Sequence, residues 1–230
     1  MSEPIVVEAG GGEVIGDSPE RRVEILGERD ALHVTWSRFG PHRDGADPHV
    51  HREHADLFYV LEGELTVRLG PEDEQVPLPA GTLARVPPLV VHGFRNASDA
   101  DVRYLNFHAP GTGFADYMRG LRDKRRTDFD QHEPPPDGGR PPSEAEIGGA
   151  TVDTPELAIT ERQGERDEAA HAHEGHDEAV YVLEGELVLT AAGHEHRLPA
   201  GTWATLPAGT PHGLAGDGAV RWLEIRAPLT

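Results

Sequence analysis

An all-β protein in two copies is what this sequence predicts, and three observations predict it. First, the chain repeats itself: "HVHREHADLFYVLEGELTV" from His49 aligns without a gap with "HAHEGHDEAVYVLEGELVL" from His171. "LPAGTLARVPPLVVHG" from Leu78 matches "LPAGTWATLPAGTPHG" from Leu198, and "VRYLNFHAP" from Val102 matches "VRWLEIRAP" from Val220. Three blocks in one order at nearly constant separation indicate a duplicated unit. Second, each copy carries short β-branched and aromatic runs broken by Glu-Gly or by Pro and Gly, which is the pattern of strands and tight turns. Third, helical periodicity is missing from both copies, which leaves a sandwich or barrel as the architecture.

Taken in chain order, the first unit spans residues 1–110. Its lead-in "GGGEVIG" is glycine-rich without a preceding strand or a following helix, so it reads as a flexible entry and not as a phosphate loop. "LFYVLEGELTVRL" is a hairpin turning at Gly63, and "LPAGTLARVP" continues as short strands. Residues 111–148 form a linker of a different kind. In "GFADYMRGLRDKRR", Phe114, Met118 and Leu121 lie on one face of a short helix, expected to pack against a barrel. "HEPPPDGGRPP" after it reads as a stiff extended connection. The second unit spans residues 149–230 and repeats the first; "GHEHRL", with His194 and His196, reads as a hairpin loop.

Composition narrows the function. The chain has 230 residues, and 21 basic against 41 acidic residues give a formal charge of -20, which repels nucleic acid and anionic membranes. With no cysteine, disulfides, thiolate nucleophiles and cysteine-ligated zinc are excluded, so any metal must take oxygen and nitrogen ligands. The one lysine, Lys124, lies in an Arg-rich stretch and is a poor Schiff-base candidate. No apolar run approaches the roughly 18 residues of a membrane span. The N-terminus lacks a basic region followed by an apolar core, so no secretory signal is predicted and a cytoplasmic location is the expectation.

The histidines give the chemistry. Alternate residues of a strand share a face, so His171 and His173 project together, Glu178 follows within reach, and His212 opens a later strand after a Pro-Gly turn. Three neutral imidazoles and one carboxylate meeting inside a barrel satisfy a divalent first-row metal: iron, manganese, nickel, cobalt, copper or zinc. His54 and His176, each two residues before the acidic position, read as solvated loop residues, with a role as partners of the metal-binding side chains or as acid/base groups the alternative, and Glu62 and Glu184 read as exposed neighbours of the hairpin glycine.

These residues resemble the two motifs of the cupin superfamily. His171, His173, Glu178 and Gly185 match the first, and Gly201, Pro207, Gly209 and His212 the second; His49, His51 and Gly63, then Gly81, Pro87, His92 and Asn96, repeat them in the first half. The resemblance implies a bicupin of two tandem antiparallel jelly-roll barrels, with one metal ion per barrel. Its ligands would be His171, His173, Glu178 and His212 in one and His49, His51, Asp56 and His92 in the other. The first half departs by placing Asp56 at the Glu position and Leu89 at a motif glycine; in the second half Gly216 replaces the closing Asn. An aspartate is one methylene shorter and must draw the metal toward its strand or bind through water. Among the activities the resemblance allows, the quercetinase-like bicupin type is the leading expectation. It implies an oxygenase acting on a small chelating substrate such as a flavonol, aromatic acid or diketone, with Glu178 both ligand and proton acceptor and the first site degenerate. A metal-dependent isomerase, a decarboxylase and a non-catalytic binding barrel share the same ligand set. Cupins often pair through barrel edges, and the residues before Asp30 could lend a strand to a neighbour, so a homo-oligomer fits the resemblance.

Overall fold

The computed structural model describes residues 3–229, and they fold into two compact units, one running from Glu13 to Gly149 and the other formed by residues up to Gly12 together with those from Ala150 onward. Both are antiparallel double-sheet barrels, as the strand patterns require.

In the Glu13–Gly149 unit the larger sheet has seven strands. In spatial order they are Glu146–Ile147, Leu83–Val86, Ala55–Glu62, Val102–Ala109, Leu32–Phe39, Arg21–Arg29 and Glu13–Asp17. The smaller sheet orders Glu74–Pro79, Glu64–Leu69 and His92–Arg95. Side chains from both sheets, among them Phe58, Val60, Leu65, Leu78 and Tyr104, make one buried core. Each such fully buried Leu, Val or Phe is worth about 1.5–3 kcal/mol. The hairpin at Gly63 needs its glycine: φ is 77°, and a Cβ there would sit 2.5 Å from the Asp101 carbonyl.

The other unit repeats the plan. Its six-stranded sheet runs Ile5–Val7, Trp203–Leu206, His176–Glu184, Arg221–Pro228, Ala158–Gln163 and Thr151–Asp153. Opposite lie Arg166–Asp167, His212–Gly216, Glu186–Ala191 and His194–Pro199. The exposed Glu62 and Glu184 of the two hairpins pair with Arg103 and Arg221, one arrangement in both copies.

The division differs from the sequence boundaries in two places. Residues 5–7 pair with Trp203–Thr205 and so cover an edge of the second unit's sheet, a use of this strand within its own chain; of the glycine-rich stretch only residues 10–12 are a connection, since Glu13 onward is already the strand Glu13–Asp17. Residues 111–148 are no free linker. The helix Phe114–Asp123 buries Phe114, Ala115 and Met118 in the first unit's core, as expected of its apolar face, while Leu121 stays 51% exposed. The Pro-rich stretch lacks regular structure, as read, yet is tied down by bridges from His132 to Val50 and from Arg140 to Val90. His194 and His196 also differ from expectation: the turn is Ala192-Gly193, both at positive φ, and the two histidines lie on the strand beyond it, opposite Ala191 and Leu189. Among the described residues no helix is long and apolar enough to cross a membrane.

Candidate metal centres

In each unit the His-x-His pair is fixed by the backbone of the later motif histidine. His49 and His92 exchange both main-chain hydrogen bonds at 2.9 Å, and His171 and His212 do the same at 2.8 Å. Two segments more than 40 residues apart thereby place their imidazoles side by side. The turn before the later histidine then reaches back to the middle histidine: the Leu89 amide donates to the His51 carbonyl at 2.8 Å, and the Gly209 amide to that of His173 at 2.7 Å. Both residues need positive φ for this, 68° at Leu89 and 77° at Gly209, so the substituted motif position keeps the backbone of its glycine counterpart.

Tautomers follow from the carbonyls. In the first unit His49 Nδ1–H donates to the Asp47 carbonyl at 2.7 Å, His92 Nδ1–H to that of Val90 at 2.9 Å, and His51 Nδ1–H to that of Asp130. Carbonyl oxygens only accept, so each neutral ring keeps its lone pair on Nε2. Those lone pairs converge. The Nε2 atoms of His49 and His51 are 3.1 Å apart, and Asp56 Oδ2 stands 3.2 Å from His92 Nε2 and 3.5 Å from His51 Nε2. Acceptors crowded this way repel one another unless a cation lies among them, and three nitrogens with one carboxylate suit a divalent first-row ion. The shorter Asp56 therefore does reach the cluster; all four residues are buried and could hold a metal ion.

The second unit shows the same arrangement with more solvent. His171 Nδ1–H donates to the Ala169 carbonyl at 3.1 Å and His212 Nδ1–H to that of Thr210 at 2.9 Å. His171 and His173 bring their Nε2 atoms to 2.9 Å, and Glu178 Oε2 lies 2.9 Å from His173 Nε2 and 3.3 Å from His212 Nε2. That last approach is an ion pair only if the ring is protonated; with Nδ1–H committed to Thr210, the buried Nε2 is an orphan without a hydrogen-bond partner. An orphan aimed at a carboxylate is what a ligand set looks like, so the residues fit a metal here too. The side chains of His171 and His173 are 30% and 31% exposed.

Electrostatics agree with charge sharing in both clusters. Burial would raise Asp56, but the surrounding imidazoles, His108 foremost, hold it well below the usual carboxylate range. Burial, reinforced by His92 and His51, pushes His49 down to about 3. For His51 burial is outweighed by Asp56, leaving it raised, and Glu178 likewise outweighs the burial of His212. Glu178 is itself lowered, its own burial being overcome by His212, His173 and His171.

Around the first cluster Asp130, Asn106 and His108 escaped the sequence reading, and His54 takes the alternative of its two readings. His54 is not a solvated loop residue: it is 1% exposed, and its Nδ1 lies 3.0 Å from Asp130 Oδ2. Asp130 lies just ahead of the Pro-rich stretch and accepts the amides of Arg52 and Glu53 as well. Asn106 and His108, on the strand Val102–Ala109, are buried beside Asp56. A signal for these two did exist, since the second copy has Glu224 and Arg226 at the same block positions. His176 is partly buried and stacks on His173 at 4.4 Å between ring centroids.

A cavity of about 200 Å³ opens onto the first cluster. His49, His51 and Asp56 form part of its wall, Phe94, Tyr104, Phe114 and Phe129 another part. Arg21 lines it as well, with its guanidinium 5.7 Å from the Phe39 ring centroid and its Nε buried without a hydrogen-bond partner.

Comparison with known proteins places these features. A family model described as "Cupin domain" matches residues 35–108 and 159–226, together more than half of the chain. Quercetin 2,3-dioxygenase of Bacillus subtilis (strain 168) is 32% identical over 122 residues, covering 52% of this chain and 35% of that protein; the match thus spans about a third of the relative's length. Two solved structures superpose on nearly the whole chain. Protein Ylba from E. coli gives a TM-score of 0.71 at 13% identity, covering 97% of this chain and 90% of its own. Salicylate 1,2-dioxygenase from Pseudaminobacter salicylatoxidans gives 0.66 at 15% identity, with 98% and 84% covered.

Proposed function

Because the chain belongs to the cupin family, we propose that it is a metal-dependent oxygenase of dioxygenase type, acting on a small chelating anion in the cavity of its first barrel. His49, His51, Asp56 and His92 would hold the divalent ion, and His171, His173, Glu178 and His212 a second one in the other unit. A redox-active ion in such a site supplies Lewis-acid and electron-transfer chemistry. The single observation that carries the reading is the contact between the cavity and the side chains of His49, His51 and Asp56. A molecule in the cavity thereby reaches the ligand cluster directly.

Support for oxygen chemistry over isomerisation comes from the similarity to quercetin 2,3-dioxygenase. The cavity argues for a smaller substrate than that enzyme's name implies. Pockets for drug-sized ligands enclose roughly 300–1,000 Å³, so about 200 Å³ suits one aromatic ring or a short diketone better than a three-ring flavonol. Phe94, Tyr104, Phe114 and Phe129 provide faces for a planar body. Arg21 provides a fork for a carboxylate or enolate, and its charge already acts on Tyr104 and Tyr117 across the cavity. Asp56, kept ionised by the imidazoles around it, has no proton to deliver and serves as the anionic member of the set. A second reading places the chemistry on the other unit, with Glu178 as ligand and proton acceptor; the partial exposure of His171 and His173 favours it by giving a solute access.

The test is oxygen uptake by metal-loaded protein with hydroxylated aromatic acids, 1,3-diketones and flavonols. The expected result is turnover of the first two classes, with Arg21→Gln raising KM by about 10–100-fold, the worth of one charged hydrogen bond, and changing kcat less. Turnover that persists without oxygen would replace the oxygenase by an isomerase or decarboxylase, and metal-loaded protein inert to the whole panel would leave a binding barrel. Loss of activity in His171→Ala but not in His49→Ala would favour the second unit.

A further inference from the structure

We infer that the first barrel binds two cations, the second held by His54, His108 and Asp56 on the side of the carboxylate that faces away from His92. Nothing in this depends on the oxygenase reading.

Hydrogen-bond bookkeeping leads there. Asp130 accepts the Arg52 amide at 2.9 Å and the Glu53 amide at 2.7 Å, which marks it as an ionised carboxylate. Lying 3.0 Å from His54 Nδ1, it fixes the ring proton on that nitrogen and leaves the His54 lone pair on Nε2. The Asn106 amide nitrogen faces two acceptors, the Leu57 carbonyl at 3.1 Å and Asp56 Oδ1 at 3.3 Å, so its Nδ2 is the donor end and Oδ1 the acceptor. His108 Nε2 is 3.1 Å from that Oδ1 and must carry the proton, which leaves the lone pair of the neutral ring on Nδ1.

Three acceptors then meet with no proton among them. His108 Nδ1 is 3.1 Å from His54 Nε2 and 2.9 Å from Asp56 Oδ1. His54 and His108 are 1% and 2% exposed, and buried lone pairs at such distances are costly unless a positive centre joins them. The two oxygens of Asp56 divide the work: Oδ2 faces His92 and His51, and Oδ1 faces His108. A carboxylate with a different nitrogen set on each oxygen is built to bridge two ions. The second unit has no counterpart, because Glu224 and Arg226 occupy the positions of Asn106 and His108.

The rival explanation is a single shared proton that makes His108 an imidazolium paired with Asp56. Crystals of the full chain grown with zinc, with data collected on both sides of the zinc absorption edge, decide between them. Two anomalous peaks are expected in the first unit, one bounded by His49, His51 and His92 and the other by His54 and His108, with Asp56 between. In solution, zinc bound per chain after desalting falls by one equivalent in His54→Gln and in His108→Gln, with circular dichroism confirming that each variant is folded. A single peak in this unit, wherever it lies, overturns the inference in favour of the proton. No peak at all in the first unit overturns it together with the ion assigned to His49, His51, Asp56 and His92, and so separates the two failures.

Discussion

Acidification should weaken the first unit from about pH 6.5 downward, and His33 isolates one cause. The helix Phe114–Asp123 begins at Gly113, which has no side chain to cap the free amides of the first turn. A remote strand supplies the acceptor instead: the Ala115 amide donates to His33 Nδ1 at 3.1 Å. That bond needs an unprotonated Nδ1. Burial, with the residue 7% exposed, pushes His33 down from 6.5 to about 4. Between those values the unfolded chain binds a proton that the folded chain refuses, so the stability is complete above 6.5 and is lost as pH falls toward 4. From about pH 7 to about pH 5.5 one such histidine removes about 1 kcal/mol. Asparagine at this position places Oδ1 where Nδ1 stood and does not titrate. Urea unfolding of chelator-treated protein at the two pH values, wild type against His33→Asn, should therefore show the wild type losing about 1 kcal/mol more. Parallel losses in the two proteins would refute the assignment and leave the acid sensitivity to His49 and the other buried rings.

Three further outcomes follow from the packing. Asn96, fully buried, donates to the carbonyls of Phe39, Gly40 and Ala100 at 3.1, 2.8 and 2.7 Å, so Asn96→Ala should cost about 2–4 kcal/mol in chemical denaturation, the orphaned acceptors dominating. Gly45→Ala would drive a methyl group into the Phe94 ring beside the cavity, and a loss of about 1–3 kcal/mol with weakened substrate binding is expected. At Gly209 the added Cβ meets only the Glu174 carboxylate at 3.4 Å, so the roughly 1–2 kcal/mol cost of Gly209→Ala is a backbone term at φ 77°, measurable as a lowered Tm without displaced neighbours.

The duplication, the strands and the two clusters of three histidines with one carboxylate were legible because each is written in local spacing. His49 and His51 alternate as strand residues do, and the motif distances to Asp56 and His92 repeat in the second half at Glu178 and His212. What stayed hidden depends on contacts between distant segments. Asp130 reaches His51 and His54 from nearly 80 residues away, and nothing in "DFDQHEPPP" announces a polar anchor. His54 looked solvated because its neighbours Arg52 and Glu53 are; the bend that buries it is fixed by those same two residues donating their amides to Asp130. The pairing of residues 5–7 with Trp203–Thr205 is of the same kind, a sheet edge covered by a strand remote in sequence.

The divergence of the two copies lies one layer behind the motif residues. Both units hold their first and last motif histidines by the same main-chain exchanges and the same Nδ1–H to carbonyl bonds, so these do not explain why one cluster is enclosed and the other partly open. Two elements do: the segment carrying Asp130, whose carbonyl takes the His51 Nδ1–H, and the strand that follows the motifs. In the first unit Tyr104, Asn106 and His108 alternate along one strand face and line the cavity, and His108 stacks on Phe114 of the helix at 3.6 Å between centroids. In the second, the Asn106 position holds Glu224, which pairs with Arg162 at 3.1 Å and turns that wall into an ion pair. Exchanging the pair, Asn106→Glu with His108→Arg, should therefore abolish small-molecule binding in the first barrel, measured by calorimetry, while sparing binding of the ion proposed for His49, His51, Asp56 and His92. Retained binding would show that the cavity owes its character to the aromatic walls and not to this strand.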